Sequence, residues 1–419
     1  MEVNTGPKKV DEAAASSSPF ARPCRARVIE EILTRGVEEV IEKKNLIKKL
    51  HSGKRLRIKY GADPSAPDLH LGHSACLLKL KEFQDLGHQI IFIIGDFTAM
   101  IGDPSKRLKT RPPLSKKEVE RNAKTYFKQI GKILDIKKIK ILRNSKWFSK
   151  MDLRDLLKLA SKFMVARILE RDDFSQRLKG GINIGAHEII YPLMQAYDSI
   201  MVRADIELGG SDQKFNMLAG RGLQKKTGQT QQDLVIVPLL VGLDGQRKMS
   251  KTLGNYIGIT EKPEEQYGKT MSIPDKLILD YFELTTQVPI EEIKKMREGL
   301  KKKKVNPRDL KARLAREIVS IYYGKKIAEK SEEEFNRIFK KRKLPTKIPK
   351  LSIKEKSLNI LDLLVKTKLA SSKAEAKRLV LQKGVKIDSQ IQEDWRKVIK
   401  IKKGQVVQVG KRKFVKIRR

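Results

Sequence analysis

Two short clusters in this chain carry residue types that handle phosphate. The first is His70-Leu71-Gly72-His73, two imidazoles three positions apart with a glycine between them. It follows a strand-like run and an irregular connection, Gly61 to Asp68, and opens a helical pattern reaching about Leu86. Asp68 is the expected N-cap. Imidazoles at i and i+3 in a first helical turn point the same way, beside free backbone N–H groups and the positive end of the helix dipole. Gly72 has no side chain, so a flat ring can approach the backbone. The combination suits a nucleoside triphosphate. Lone histidines are more often structural, yet the chain has only 5 and two of them share this turn.

The second cluster is Lys248-Met249-Ser250-Lys251-Thr252, placed between Gly242-Leu243-Asp244-Gly245 and Gly254-Asn255. Glycines on both sides predict a mobile loop. Two ammonium groups on such a loop can close over phosphates and neutralise the charge that builds on a leaving pyrophosphate. In a lysine-rich chain the Lys-x-x-Lys pair alone carries no weight. Its pairing with the histidine turn, in this order, does. No P-loop, no well-placed Gly-x-Gly-x-x-Gly and no metal-ligand spacing occurs, which disfavours P-loop enzymes, dinucleotide dehydrogenases and a protein-held metal.

The elements that must position these clusters alternate in type. Strand-like runs at Leu56–Tyr60, Gln89–Gly95, Lys138–Leu142, Met201–Leu208 and Leu234–Val241 are separated by helical patterns, which predicts βαβ units around a parallel sheet. Apolar residues from Arg27 to Leu50 recur at helical spacing and predict one amphipathic lead-in helix. Beyond Gly258 the segments Pro263–Asp280 and Ile290–Phe339 read as helical. The basic, proline-containing stretch from Lys341 reads as a linker, and Ser357–Arg419 as a small module with two helices followed by β-structure. The expected architecture is therefore an α/β parallel-sheet domain (27–258), an α-helical domain (259–340), a basic linker (341–356) and a small α+β domain (357–419), after a disordered tail (1–26).

Composition constrains the partners. The 419 residues include 91 Lys plus Arg against 50 Asp plus Glu, a formal charge of +41, with 39% hydrophobic residues. No window approaches the ~18–20 apolar residues of a membrane helix. Two cysteines, Cys24 and Cys76, make no disulfide framework, and a reducing, cytoplasmic setting fits them. Residues 341–419 hold 25 basic and 6 acidic residues, a surplus of 19. A polyanion such as nucleic acid accounts for this surplus; a lysine-rich proteome is the alternative. Lys106, Arg107, Lys109 and Arg111 form another basic stretch that could face phosphate or solvent.

The histidine turn and lysine loop together resemble the two ATP-site signatures of class I aminoacyl-tRNA synthetases, which have a Rossmann-like catalytic domain. Further segments, Tyr191-Pro192-Leu193-Met194-Gln195-Ala196-Tyr197-Asp198, Gly209-Gly210-Ser211-Asp212-Gln213, Gly95-Asp96-Phe97-Thr98 and Ile101-Gly102-Asp103-Pro104, resemble the substrate segments of tyrosyl-tRNA synthetases. Residues 357–419 resemble their C-terminal RNA-binding domain of the ribosomal S-four type, and the helical region their anticodon-binding domain. The resemblance implies the following roles. His70, His73 and Ser65 contact ATP, with Gly72 leaving room. Lys248 and Lys251 hold pyrophosphate, in a loop with Met249, Ser250 and Thr252. Asp63 and Gln213 lie near the amino-acid carboxylate and reacting phosphate, and Asp212 near the ribose. Asp103, Tyr191 and Gln195 bind the α-ammonium. Asp198 accepts the phenolic hydrogen, so a ring without a hydroxyl leaves a buried charge unpaired, an effect for which tyrosyl enzymes are themselves the usual illustration.

The family's second phenol-sharing tyrosine falls at Lys59 in this chain, with Tyr60 one place later; Tyr60 is the candidate, against a sheet-packing role. Lys373, Lys377, Arg378 and Lys383 form the expected RNA-backbone face, beside Ser372 and Lys386, with Arg412, Lys413 and Lys416–Arg419 adding contacts. The implied substrates are tyrosine, ATP with Mg2+ carried on it, and tRNA(Tyr). The implied assembly is a homodimer. Two other readings are a tryptophanyl-tRNA synthetase and a synthetase-like RNA-binding protein.

Overall fold

A computed structural model describes residues 21–104, 114–340, 348–410 and 413–418. The N-terminal tail to residue 20, Lys106, Arg107, Lys109, Arg111, the first part of the linker, Arg412 and Arg419 lie outside the described residues. The chain divides into two compact units, one up to Lys325 and one from Lys326 onward.

The first unit is built on a six-stranded sheet. Its strands are β1 (Glu39–Ile41), β2 (Arg57–Ala62), β3 (Gln89–Ile94), β4 (Lys140–Arg143), β5 (Ile206–Gly210) and β6 (Asp233–Val237), in the spatial order β1-β6-β5-β2-β3-β4. All neighbouring pairs are parallel except β1 with β6. The middle strands read as continuous apolar runs because helices cover both faces. Along β2 the side chains alternate: Ile58 and Tyr60 enter one core with Leu77, Phe83 and Phe92, while Lys59, level with Ile91, points to the opposite face. From β2 the chain winds outward to β3 and β4, then returns past β2 to β5. That reversal leaves a crevice at the carboxyl ends of β2 and β5, where α/β sheets bind ligands.

Three expectations change. The lead-in segment is not one helix but the Ala21–Ile32 helix, a turn, the edge strand β1 and the Lys43–His51 helix. Gly36 at φ 58° and Glu42 at φ 63° break the helical path. The run proposed to begin a strand at Met201 is still helix there, since the Ala186–Val202 helix continues and β5 starts at Ile206. The helices from Pro263 to Tyr323 do not form a compact unit of their own. Tyr281, Phe282, Leu314 and Ile318 belong to the same buried cluster as Ile58, Leu77 and Phe92, so the core runs across residue 258.

The second unit contains the Lys325–Phe339 helix from its second residue onward and a small α+β module. In that module a five-stranded sheet, ordered β10-β9-β12-β13-β7, joins Gln390–Gln392, Val385–Ile387, Val406–Val409, Lys413–Arg418 and Lys350–Ser352. A short pair couples β8 (Ser357–Asn359) to β11 (Val398–Lys400). The helices Ile360–Lys366 and Lys373–Leu381 pack with the strands around Leu363, Leu364, Val380, Val385 and Val407. Among the described residues no helix is long and apolar enough to cross a membrane.

Candidate active site

The histidine turn caps the helix that follows β2. Helix Leu71–Asp85 takes His70, not Asp68, as its N-cap. His70 Nδ1 accepts from the Gly72 N–H at 3.2 Å and His73 Nδ1 accepts from the His70 N–H at 3.3 Å. The imidazoles thus perform the reciprocal capping that serine and glutamate usually supply. Their ring centroids lie 4.0 Å apart. A ring that accepts at Nδ1 and is neutral carries its proton on Nε2, which leaves a donor for a ligand. Burial, the neighbouring imidazole and the Lys251 and Lys248 ammoniums hold His70 well below the usual histidine range. Burial and Lys251 lower His73 to about 4. A methyl group at Gly72 would stand 3.0 Å from the His70 ring, so glycine here admits the capping imidazole itself.

The lysine loop lies against this turn. Leu71 N–H donates to the Ile257 carbonyl at 3.0 Å and Ile259 N–H to the Leu69 carbonyl at 3.1 Å, so the chain after the loop is stitched to the histidine segment. Asn255 fixes the loop's base: its Oδ1 accepts from Ser250 N–H at 2.8 Å, and its Nδ2 donates to the Lys248 carbonyl at 3.1 Å. Met249 is buried in the main core. Thr252 is exposed, so the supporting role expected of it falls to Asn255, which its position just past Gly254 had marked only as punctuation. Lys248 Nζ pairs with Asp212 at 3.1 Å, and Lys251 Nζ donates to the Asp68 carbonyl. Both ammoniums are held beside the histidines by partners that a phosphate can replace. Ser65 lies half-buried in the connection after β2, its N–H donating to the Asp63 carbonyl at 2.7 Å.

At the strand ends the amino-acid residues converge. Tyr191, Gln195 and Asp198 fall at i, i+4 and i+7 of the Ala186–Val202 helix, one face of it. Asp63, just past β2, accepts from Thr98 Oγ1 at 2.7 Å and from the Tyr191 hydroxyl at 3.0 Å. Burial pushes its carboxyl up to about 7 against those two hydrogen bonds. Gly95, at the end of β3, is needed for this contact: a methyl group there would overlap Asp63 Oδ1 and Thr98 Oγ1. Asp103 accepts from Gln213 Nε2 at 2.8 Å, and Gln195 Oε1 accepts from Asn216 Nδ2 at 2.9 Å.

Asp198 is buried. It accepts from Trp147 Nε1 at 2.9 Å and Asn144 Nδ2 at 3.4 Å. Burial raises its carboxyl to about 7, opposed first by the Lys59 ammonium. Lys59 Nζ reaches the Gln195 carbonyl (3.0 Å), Ser199 Oγ (2.7 Å) and Glu207 Oε1 (2.8 Å). Lys59, Asn144 and Trp147 were not singled out as site residues from sequence. The signal for the last two was their position just past β4, level with the other strand ends.

Tyr60 does not join this group. It lies on the other face of the sheet, with its ring 5.4 Å from Phe92 and its hydroxyl bonded to the Cys76 thiol. Successive residues of an unbulged strand face opposite sides, so the role of second phenol-sharing group is not Tyr60's, and the sheet-packing role is. Among the described residues no group of three or more His, Cys, Asp or Glu side chains could hold a metal ion.

In the C-terminal module Lys373, Lys377 and Arg378 are exposed on the Lys373–Leu381 helix, and Lys383 follows it in the left-handed region at φ 56°. Lys373 pairs with Asp362 at 2.6 Å, Lys383 with Glu393 at 3.1 Å, and Lys377 lies 4.2 Å from the Trp395 ring centroid. Ser372 is the helix N-cap, accepting from Glu375 N–H at 3.2 Å.

Comparison with known proteins places the chain in a family. Residues 51–340 match the family described as tRNA synthetases class I (W and Y), and residues 341–418 match the tyrosine–tRNA ligase SYY-like C-terminal domain. A tyrosine–tRNA ligase of Moorella thermoacetica is 49% identical over 390 residues, covering 92% of this chain and 94% of that protein. One of Thermotoga maritima is 50% identical over 386 residues, with 92% and 96% covered. The fold is shared with a C-terminally truncated mitochondrial tyrosyl-tRNA synthetase of Aspergillus nidulans (TM-score 0.62, 23% identity, 76% of this chain and 99% of that one). It is shared also with the tyrosyl-tRNA synthetase of Archaeoglobus fulgidus complexed with L-tyrosine (TM-score 0.59, 24% identity, 73% and 99%). The chain, with its histidine turn, lysine loop and convergent strand ends, belongs to the class I tRNA synthetases of the tryptophan and tyrosine family.

Proposed function

We propose that this chain is a tyrosine–tRNA ligase that forms tyrosyl-adenylate from tyrosine and ATP and then passes the tyrosyl group to the 3′ end of tRNA(Tyr). The observation that carries the choice of amino acid is Asp198: a buried carboxylate, held by Trp147 and Asn144, on the helical face that also bears Tyr191 and Gln195.

In the first step the tyrosine carboxylate attacks the α-phosphorus in line, and pyrophosphate leaves. In the second a terminal ribose hydroxyl attacks the tyrosyl carbonyl, and AMP leaves. Neither step needs a protein nucleophile, so catalysis is positioning and charge stabilisation. ATP enters with Mg2+ held on its phosphates. The Nε2 atoms of His70 and His73 meet the phosphates and ribose, with Ser65 beside His70. Lys248 and Lys251 exchange Asp212 and the Asp68 carbonyl for pyrophosphate oxygens, which frees Asp212 for the ribose. Asp63, Asp103, Tyr191, Gln195 and Gln213 hold the amino acid's charged end. Lys373, Lys377, Arg378 and Lys383 meet tRNA phosphates; the exposed pairs of Lys373 with Asp362 and Lys383 with Glu393 are worth only about 0–1 kcal/mol each, so phosphate displaces those two carboxylates at little cost.

Two copies associate in this reading. Support comes from large apolar side chains left open on the Leu153–Ala160 helix and just before the next one, Leu153 and Leu157 at 70% and 62% exposure and Met164 at 71%; a monomeric mass in sedimentation would rule this out. Cys76 as a free, buried thiol is compatible with the cytoplasm. The deciding experiment is amino-acid-dependent ATP–pyrophosphate exchange with tyrosine, tryptophan and phenylalanine. Exchange with tyrosine alone is expected. Exchange with tryptophan alone identifies a tryptophanyl enzyme, and none at all an RNA-binding protein on a synthetase scaffold.

A further inference from the structure

We infer that Asn216 is a positioning residue that fixes which end of the Gln195 and Gln213 amides faces the amino-acid site, in an orientation imposed on it by Arg171. The inference rests on the tyrosine reading above.

Arg171 is buried. Its Nε and Nη2 grip Asp173 at 2.8 and 2.7 Å, its Nη1 donates to Asn216 Oδ1 at 3.0 Å, and its guanidinium carbon lies 4.9 and 5.6 Å from the Phe174 and Phe215 ring centroids. A guanidinium only donates, so Asn216 must present its oxygen to Arg171 and its Nδ2 away from it. That Nδ2 donates to Gln195 Oε1 at 2.9 Å and to Gln213 Oε1 at 3.1 Å. Each glutamine therefore turns its oxygen toward Asn216 and its Nε2 outward. Gln213 Nε2 then donates to Asp103 Oδ2 at 2.8 Å, a carboxylate oxygen that accepts.

The run from Arg171 to Asp103 starts at a group that only donates and ends at one that accepts. Each amide between them has a single orientation that satisfies both neighbours. Turning any one over would set two N–H groups, or two oxygens, against each other in a site where Asn216 is 1% exposed. On the other branch, Gln195 shows the site a fixed amide instead of one that alternates between donor and acceptor. Preorganisation of this kind removes part of the ordering cost of binding. Arg171 and Asn216 touch no substrate in this scheme and act through the two glutamines.

Asn216→Asp tests the inference, because it keeps the shape and the acceptor facing Arg171 but replaces the two donated hydrogens with lone pairs. Both glutamines are then expected to turn over, and Gln213 to set its oxygen against Asp103. The tyrosine KM in pyrophosphate exchange should rise at least about tenfold, with the ATP KM and melting temperature close to those of the unaltered chain. A tyrosine KM within about twofold of the unaltered chain, or an equal rise in both KM values, overturns the inference. If Asn216→Asp does not fold, Arg171→Gln decides. Its amide can face Asn216 with either end, so the tyrosine KM should again rise selectively, and an unchanged value overturns the inference. An unaltered chain with no tyrosine-dependent exchange overturns the functional reading and this inference with it; an active one whose variants behave alike overturns the inference alone.

Discussion

Asp198 and Asp63 are carboxyl groups that burial raises to about 7 from an ordinary 3.8. A raised carboxyl binds a proton in the folded chain that the unfolded chain has already released. Its contribution to stability is therefore fully present below about pH 4 and is lost as pH rises through about 7. Near neutral pH the empty site holds two uncomfortable carboxylates, and a phenol donating to Asp198 relieves one of them. Tyrosine binding should accordingly strengthen from pH 6 to pH 8, read as a larger thermal stabilisation by tyrosine at the higher pH. Trp147→Phe removes the shorter of the two hydrogen bonds to Asp198 while keeping an aromatic ring. It should raise the tyrosine KM about tenfold, the worth of a hydrogen bond to a charged group, move the pH dependence upward, and narrow the preference for tyrosine over phenylalanine. Steady-state exchange with both amino acids from pH 6 to 9 checks all three effects.

At the scale of elements, the lysine loop is bonded at its base and exposed at its tip. Asn255 bonds to Ser250 N–H and the Lys248 carbonyl, while the Lys248 and Lys251 ammoniums occupy partners that phosphates can replace. An interaction made fully only in the transition state lowers kcat when removed, with little effect on ground-state binding. Lys251→Ala should slow adenylate formation about a hundredfold and leave tyrosine affinity nearly unaltered, as measured by single-turnover kinetics beside equilibrium titration. Equal reductions in both would mean that the loop is not a transition-state clamp. The histidine turn differs from the loop because its conformation is built in by the capping bonds of the imidazoles themselves. Both imidazoles lie below the usual histidine range, so both are neutral near pH 7.

Across the whole molecule, positive charge is densest toward the C-terminus, where residues 341–419 carry 19 of the net 41. That surplus belongs to a module with its own buried core. Removing residues 341–419 should leave tyrosine-dependent pyrophosphate exchange near its original rate and weaken aminoacylation. The salt dependence of tRNA binding should fall by roughly one in log–log slope for each phosphate that is no longer neutralised. A filter-binding series at several salt concentrations measures the slope, and an unchanged value would move the RNA-binding surface to the first unit.

The linear sequence was enough for the five parallel strands in their order along the chain, though not for the antiparallel edge strand β1, and for the histidine turn, the lysine loop and the basic module. Each of these is local: apolar runs, glycine punctuation and charge density survive in one dimension. Lys59 and Tyr60 mark where that reading stopped, because adjacent strand residues share a sequence context and only the assembled sheet assigns one to the Asp198 side and the other to the Phe92 side. Asp68 looked the better cap until the backbone placed His70 at the helix start. Asn144 and Trp147 reach Asp198 across 54 and 51 residues of chain, and Arg171 reaches Asn216 across 45. No periodicity encodes such pairings. They exist because strand order and helix packing bring the carboxyl ends of β2, β3, β4 and β5 to one crevice, and burial there decides which carboxyl groups hold their protons and which amides can turn.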